Sequence, residues 1–116
     1  IGPGVAPEAK LYALKVFGRR GSTSSSTVVK ALEWALDPNK DGNFADHLDV
    51  VNLSLGSAFG QDDASDPEVQ SVNRISQNGV LCVISAGNSG NTYYVSGSPG
   101  VAARAITKQG IRTNEF

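Results

Sequence analysis

Runs of β-favouring residues alternate with runs of helical periodicity along most of this chain, and that alternation restricts its fold more than any other feature. Three runs rich in apolar, β-branched and aromatic residues predict strands. They are residues 10–18 (KLYALKVFG), 48–57 (LDVVNLSLGS) and 80–86 (VLCVISA). Between the first two, residues 27–37 place Val28, Leu32 and Leu36 on one apolar stripe at helical spacing. This stretch therefore predicts an amphipathic helix between two strands.

A second helix is predicted between the second and third strands. Ser65 followed by Glu68 three residues later, with Pro67 in the first turn, is typical of a helix start. Asn78 and Gly79 supply a stop at the carboxyl end. Apolar residues at helical spacing give this helix a core-facing side. They are Val69, Val72 and Ile75.

The order strand, helix, strand, helix, strand predicts an α/β fold with parallel strands and right-handed crossovers. The last two strands are continuously apolar, so we expect helices on both faces of the sheet. The fold class is then a partial three-layer, doubly wound parallel sheet with a βαβαβ core. Ligands of such sheets bind beyond the carboxyl ends of the strands. Those ends are Gly18 onward, residues 54–56 and residues 86–88.

Composition excludes several classes of protein. The 116 residues suffice for one small domain, and no apolar run approaches the roughly 20 residues that cross a bilayer. A net charge of −1 gives no basic surface for nucleic acid. The single cysteine, Cys82, excludes an internal disulfide and a cysteine metal cluster. The first residues, IGPGVAPEAK, do not read as a signal peptide.

The stretch VLCVISAGNSG raises a chemical question, because a buried strand ends there in small residues with Asn88 at the turn. Glycine and asparagine turn a chain cheaply, which is one explanation. An asparagine held rigidly at the carboxyl end of a strand can also donate a hydrogen bond to a developing negative charge. The position of Asn88 on the ligand-binding edge of the predicted sheet favours the second explanation.

Three stretches, taken in order and at their spacing, resemble the subtilisin-like serine protease family (the subtilases, peptidase family S8). They are GVAPEAKLYALKVFG, DVVNLSLG and VISAGNSG. The resemblance covers residues 2 to about 107. It implies the core of a subtilisin-like fold, a hydrolase that cuts peptide substrates, and a secreted parent protein.

The resemblance assigns roles to nine residues. Asn88 stands where the family has its oxyanion-hole donor. Ser54, Leu55 and Gly56 correspond to one wall of the pocket for the residue before the cut bond, and Ala86 and Gly87 to the opposing wall. Gly21, Ser22 and Thr23 resemble the segment that pairs with an extended substrate as an added strand.

The family's catalytic triad is the main departure. Its Asp, His and Ser lie in three motifs, Asp-Ser/Thr-Gly, His-Gly-Thr-His and Gly-Thr-Ser-Met-Ala, and this sequence has none of them. The one histidine, His47, lies in ADHLDVV and does not match the base. We therefore expect an interior, inactive part of a protease over residues 1–107. Residues 108–116 (KQGIRTNEF) are polar and end in the two residues that an EcoRI site encodes, which predicts a cloning-derived or disordered tail.

The loop DPNKDGNFAD has the alternate spacing of a calcium loop. Asp37, Asn39 and Asp41 occupy positions 1, 3 and 5, and Gly42 stands where the sharp turn falls. Position 12 is Leu48, so the usual bidentate glutamate is missing. Asn43 and Asp46 complete the candidate ligands. An ordinary Asn/Asp/Gly loop explains the same pattern.

Two other functions remain open. A nucleotide-binding or receiver-like domain would need a phosphate-binding glycine motif or an acidic cluster at the strand ends, and the ends here carry Gly, Ser and Asn. A self-associating α/β interaction module without enzymatic activity is the stronger alternative. Strand edges left unpaired invite pairing with another chain, so we expect a homo-oligomer. Cys82 and Trp34 are expected to pack rather than to react or bind.

Overall fold

The computed structural model describes residues 2–58, 60, 64–88 and 96–109. Residues 108 and 109 are described by their backbone alone. Two α-helices, one short 3₁₀ helix and three strands lie in these ranges. In chain order they are α1 (Ser25–Leu36), the 3₁₀ helix (Phe44–Asp46), β1 (Val50–Leu53), α2 (Pro67–Gln77), β2 (Leu81–Gly87) and β3 (Ile106–Gln109). Both predicted helices are confirmed, and so are the strands predicted around residues 50 and 84.

The three strands form one parallel sheet in the order β1-β2-β3. In the register, Val50 lies opposite Leu81 and Leu53 opposite Ile84. Since β1 and β2 are joined through α2, this is the parallel α/β arrangement that the alternating sequence predicts. The carboxyl ends of β1 and β2 lie side by side, which brings residues 54–56 next to residues 86–88.

The core lies between the two helices and one face of the sheet. Each helix contributes its apolar stripe, and the sheet contributes Leu53, Cys82 and Ile84, all of which are buried. The helix residues in this cluster are Val28, Leu32, Leu36, Val69, Val72 and Ile75. Both described helices therefore cover the same face.

The expectation that helices cover both faces of the sheet is wrong for the described residues. On the face opposite the helices, Val50, Leu81 and Ile106 are about half exposed, at 54%, 44% and 55%. A continuous apolar run shows that both sides of a strand tolerate burial, but it does not say what lies on each side. The described part of the chain thus comprises the sheet and one helix layer of the predicted partial α/β fold.

The prediction of a first strand at residues 10–18 is also wrong, because this segment has no strand structure. It runs alongside β1 but leaves between them a cavity of about 780 Å³, lined by Leu11, Leu14 and Val50 among others. The ring of Tyr12 meets that of Trp34 on α1, with centroids 5.7 Å apart. Tyr12 is nonetheless 59% exposed and only Val16 of the segment is partly buried, so this contact joins the segment to α1 without placing it in the core.

The start of α2 differs from the prediction by one residue. Asp66, not Ser65, is the N-cap, and its Oδ1 accepts hydrogen bonds from the backbone N–H of Glu68 at 2.9 Å and of Val69 at 3.3 Å. An aspartate carries a full negative charge against the positive helix end, in addition to accepting these bonds. The predicted stop is confirmed, with Asn78 as C-cap and Gly79 at φ +102°.

Strand β3 was not predicted as a strand. It extends to Gln109, so the domain boundary predicted after residue 107 falls inside it. The rest of the predicted tail, residues 110–116, lies outside the described residues. Helices long and apolar enough to cross a membrane do not occur in the described ranges.

Candidate functional site

The carboxyl end of β2 presents Asn88 at the edge of the sheet. Ala86 and Gly87 are half-buried at the last two positions of the strand, and Asn88 follows them with its side chain exposed. Gly87 has φ +103°, a left-handed conformation that favours glycine, and this conformation turns the chain out of the strand. The local backbone thus fixes the direction in which Asn88 leaves the sheet.

The predicted first wall lies beside this turn. The Ser85 hydroxyl donates a hydrogen bond to the Leu55 carbonyl oxygen at 2.9 Å, across 30 positions of the sequence. The Asn52 side-chain amide donates to Ser54 Oγ at 3.0 Å, and both side chains are exposed. Residues 54–56 and 86–87, predicted as opposing walls, are therefore brought together at the same edge of the sheet.

A third segment, residues 96–100, lies against the first wall, and sequence reasoning assigned it no place in the site. The N–H of Ser57 donates to the Ser98 carbonyl at 2.9 Å, and that of Gly60 donates to the Ser96 carbonyl at 3.2 Å. At Gly56 an added methyl group would lie 3.1 Å from the same Ser98 oxygen. The glycines and the proline of SGSPG are the sequence signal for this close approach of two backbones.

The Ser98 side chain is 95% buried, and its hydroxyl has no hydrogen-bond partner within the described part of the chain. Gly100 lies on the other side, where an added methyl group would come 2.7 Å from the Ser85 carbonyl oxygen. Residues 96–100 therefore lie against Gly56 and Ser57 at the first wall and against Ser85, the residue just before the second wall. Residues 96–100 thus join the two predicted walls at the carboxyl edge, a place that the sequence assigned to residues 21–23 but not to this segment.

Residues 21–23 form an exposed turn just before α1. Gly21 has φ +72°, and its N–H donates to the Gly18 carbonyl at 3.1 Å. The far end of α1 lies near the start of β1, because the Leu48 N–H donates to the Ala35 carbonyl at 2.9 Å. The turn before α1 consequently lies toward the end of the sheet where β1 finishes. Contacts between Gly21, Ser22 or Thr23 and the two walls are not among the described hydrogen bonds.

His47 lies at the opposite end of the sheet from Asn88. Its ring packs over Gly79, where an added methyl group would lie 3.2 Å from Nε2, and its Nδ1 is 2.9 Å from the Leu48 carbonyl oxygen. Gly79 precedes β2 and Asn88 follows it. At about 3.3 Å per residue, seven strand residues separate the two ends by about 20 Å. His47 is thus out of reach of any reaction at Asn88.

The candidate calcium loop lies at this same far end. Asp37 accepts hydrogen bonds through Oδ1 from the Asp41 N–H at 3.2 Å and through Oδ2 from the Gly42 N–H at 2.9 Å. Asn39 Oδ1 accepts from the Asp41 N–H at 2.9 Å, and its amide donates to Asp41 Oδ2 at 3.1 Å. Asn43 caps the 3₁₀ helix that contains Asp46. Groups of three acidic, histidine or cysteine side chains placed to hold a metal are not found in the described ranges.

A family model described as the Subtilase family matches residues 1–115. The chain belongs to the subtilase family. Among curated subtilases, the PI-type proteinase of Lactococcus lactis subsp. cremoris is 41% identical over 118 residues, which are 97% of this chain and 5% of that protein. Serine protease AprX of Bacillus subtilis (strain 168) is 34% identical over 113 residues, covering 96% of this chain and 25% of AprX.

The fold agrees with solved subtilase structures. The chain superposes on S41 Psychrophilic Protease with a TM-score of 0.74 at 36% identity, covering 90% of this chain and 31% of that one. It spans about a third or less of each subtilase compared. The parallel sheet of this chain therefore corresponds to part of the subtilase fold.

Proposed function

We propose that this chain forms the oxyanion-binding and pocket-lining part of a subtilisin-like serine endopeptidase. The observation that supports the proposal best is the meeting of Ser54–Gly56 with Ala86–Asn88 at the carboxyl edge, braced by the bond from Ser85 to Leu55. Parallel sheets bind their ligands at this edge. The substrate class is an extended peptide, which residues 21–23 would accept as an added strand.

In this proposal Asn88 stabilises the tetrahedral intermediate of peptide hydrolysis. An asparagine amide donates a hydrogen bond to the oxyanion, and it does so best when the protein holds it in place before the reaction. Gly87, in its left-handed conformation, and the bonded strand behind it supply that rigidity. The exposed position of Asn88 leaves its amide accessible to a bound peptide.

The chain does not complete the catalytic machinery by itself. A serine nucleophile needs a base within about 2.6–3.2 Å to accept its proton. The sequence contains one histidine, and that residue packs at the far end of β2. The nucleophile and base would come from the rest of a complete subtilase domain. Secretion of that protease belongs to the same proposal and rests on the family resemblance.

A chimera tests the role of Asn88. Residues 2–107 replace the matching segment of AprX, so that the host supplies the triad. We expect a chimera that hydrolyses peptides, and a fall in kcat of about 10²–10³-fold on Asn88→Ala with little change in KM. That magnitude is the one known for the equivalent donor in subtilisin, a member of this family. Asn78→Ala, the same change at the other end of β2, is the control and should leave kcat unchanged.

An Asn88→Ala chimera with the kcat of its parent would leave Asn88 as a turn residue only. If the parent chimera folds but hydrolyses nothing, the walls at the carboxyl edge do not form a working subtilase pocket. The circular dichroism spectrum of each chimera is compared with that of the host, so that a loss of activity caused by misfolding is recognised.

We also propose that the loop from Asp37 to Asp46 binds calcium. Asp37 and Asn39 direct one oxygen each at the Asp41 N–H, so the side chains of positions 1, 3 and 5 converge. Carboxylate and amide oxygens are the ligands that calcium prefers. Asp37, Asn39 and Asp41 would hold the ion, with Asn43 and Asp46 completing the shell through side-chain or backbone oxygens.

A further inference from the structure

Two adjacent arginines, Arg19 and Arg20, lie in a tight, exposed turn shortly before α1. The backbone closes this turn, because the Gly18 N–H donates a hydrogen bond to the Ser22 carbonyl oxygen at 3.2 Å. We call residues 18–22 the arginine turn. The closing bond fixes the backbone from which the two arginine side chains extend.

Apolar contacts hold the arginine turn beside the first wall of the site. Val16 lies two residues before the turn, and Val28 lies in the first helical turn of α1 after it. Both line the same cavity as Leu55 of the first wall. Val28 also belongs to the buried core, against which Leu55 packs. The two ends of the arginine turn are therefore anchored near Leu55.

The charges of the two arginines are not neutralised within the described part of the chain. Neither side chain forms an ion pair or a hydrogen bond with a described residue. The first turn of α1 contains no acidic residue. The segments that meet at the carboxyl edge, residues 52–58, 85–88 and 96–100, contain no charged residue. The arginine turn is therefore a positive region beside uncharged walls.

We propose that the arginine turn makes this site prefer peptides with an acidic side chain on the amino side of the cut bond. The preference rests on the proposed function, in which residues 21–23 accept the substrate as an added strand. An added strand runs about 4.8 Å from its neighbour. Arg19 and Arg20 directly precede that segment, so a glutamate or aspartate of the bound peptide comes within reach of a guanidinium group.

The strength of this contact follows from its exposure to solvent. An exposed ion pair changes a binding equilibrium by up to about 5-fold. Salt weakens such a pair, because the Debye length falls from about 10 Å at 0.1 M salt to about 3 Å at 1 M. A preference of a few-fold that disappears at high salt is therefore the expected signature of the arginine turn.

The AprX chimera that carries residues 2–107 measures this preference. Its substrates are fluorogenic peptides that differ only in carrying Glu, Gln or Lys at one position, which is moved over the three residues that precede the pocket residue. At one of these positions and 0.1 M salt, we expect kcat/KM to be at least about 3-fold higher for the Glu peptide than for the Lys peptide. The double variant Arg19→Gln with Arg20→Gln should bring this Glu-to-Lys ratio close to 1.

Arg74→Gln is the matched control. Arg74 is exposed and lies in the last turn of α2, toward the end of β2 that is opposite Asn88. This variant removes one positive charge without altering the arginine turn, so the Glu-to-Lys ratio should not change.

A second protein tests the arginines separately from the walls. It is AprX in which only the segment matching residues 18–24 is replaced by that of this chain. All seven of these residues are exposed, so the exchange does not disturb a core. We expect this protein to gain the Glu preference relative to AprX, and to lose it when both arginines are replaced by glutamine.

Equal kcat/KM values for the Glu and Lys peptides in active proteins would overturn the proposal, and so would a preference that persists after both arginines are replaced. A ratio that Arg74→Gln lowers as much as the double variant does would show an effect of net charge alone. Hydrolysis of the Gln peptide without a Glu preference rejects the role of the arginines and leaves the proposed function standing. A folded but inactive full chimera, with a Glu preference in the 18–24 exchange, rejects the proposed function of the walls and supports the role of the arginine turn.

Discussion

His47 and Asn88 lie at opposite ends of strand β2. The His47 ring packs against Gly79 before the strand, and Asn88 follows Gly87 after it. The one imidazole of the chain therefore cannot accept a proton at the edge where a peptide would bind. We expect the chain alone to hydrolyse no peptide or casein substrate, because nucleophile, base and orienting acid act as a unit.

A fluorogenic peptide assay checks this expectation. His47→Ala is the control: any trace of hydrolysis should be the same in this variant and in the unaltered chain. Hydrolysis that persists through purification and is blocked by a serine-directed inhibitor would contradict the prediction.

Gly87 sets the turn that carries Asn88, so its replacement should destabilise the chain. At φ +103° a residue with a Cβ is strained even though open space surrounds the site. We expect Gly87→Ala to lower the free energy of unfolding by about 1–2 kcal/mol. Gly4→Ala, also in open space but without a positive φ, should change it by less than about 0.5 kcal/mol. Urea titration measures both, and equal effects would show that the conformation of Gly87 carries no strain.

The N-cap of α2 offers a direct comparison between two adjacent residues. Asp66 accepts two backbone N–H bonds, whereas the sequence pattern favours Ser65. We expect Asp66→Ala to lower the free energy of unfolding by about 1 kcal/mol. Ser65→Ala should lower it by less. If thermal unfolding shows that Ser65→Ala lowers the free energy of unfolding more than Asp66→Ala does, then Ser65 is the N-cap, as the sequence predicts.

Local patterns predicted what local forces determine. The apolar stripes of α1 and α2 and the apolar run of β2 follow from residues within a turn or a strand of one another. Residues 10–18 have the composition of a strand, but a strand also needs a paired neighbour, and this segment lies mostly exposed with a ring contact between Tyr12 and Trp34. Composition alone cannot supply that partner.

The candidate site was predictable only in part, for a related reason. Residues 54–56 and 86–88 follow strands, so topology places them together. The segment 96–100 enters the site through backbone bonds such as that from Ser57 to Ser98, 41 positions apart. Backbone hydrogen bonds do not depend on which side chains the residues carry, so apart from glycines at close approaches the sequence does not indicate them. The exposure of the sheet face opposite the helices was not predicted, because an apolar strand does not specify what covers it.

Cys82 should make stability depend on alkaline pH. Burial raises the pKa of its thiol above the ordinary value. The neutral thiol is favoured in the folded chain, so its contribution is complete below the unfolded pKa of about 8.5 and is lost as pH rises through the folded pKa. We expect the free energy of unfolding to fall between pH 8 and about 10 more steeply in the unaltered chain than in Cys82→Ala.

Urea titrations at several pH values measure this difference, and a thiol reagent supplies an independent check. The buried thiol should react at pH 8 only as fast as the chain unfolds. Parallel pH profiles for the two proteins, or immediate labelling of the folded chain, would contradict the burial of Cys82.

Calcium should stabilise the chain through the loop from Asp37 to Asp46. A ligand that binds the folded state at 100 times its dissociation constant adds about 2.7 kcal/mol, and for a chain of this size that raises Tm by about 10–20 °C. Asp41→Asn keeps the shape of the side chain but removes one charge from the proposed shell, so calcium should raise its Tm by much less.

Asp49→Asn, outside the loop, is the control and should respond as the unaltered chain does. Differential scanning fluorimetry with millimolar calcium, with magnesium as the comparison ion, measures the shift. The same Tm with calcium as with a chelator would mean that hydrogen bonds alone, such as those of Asp37 to the Asp41 and Gly42 N–H groups, hold this loop.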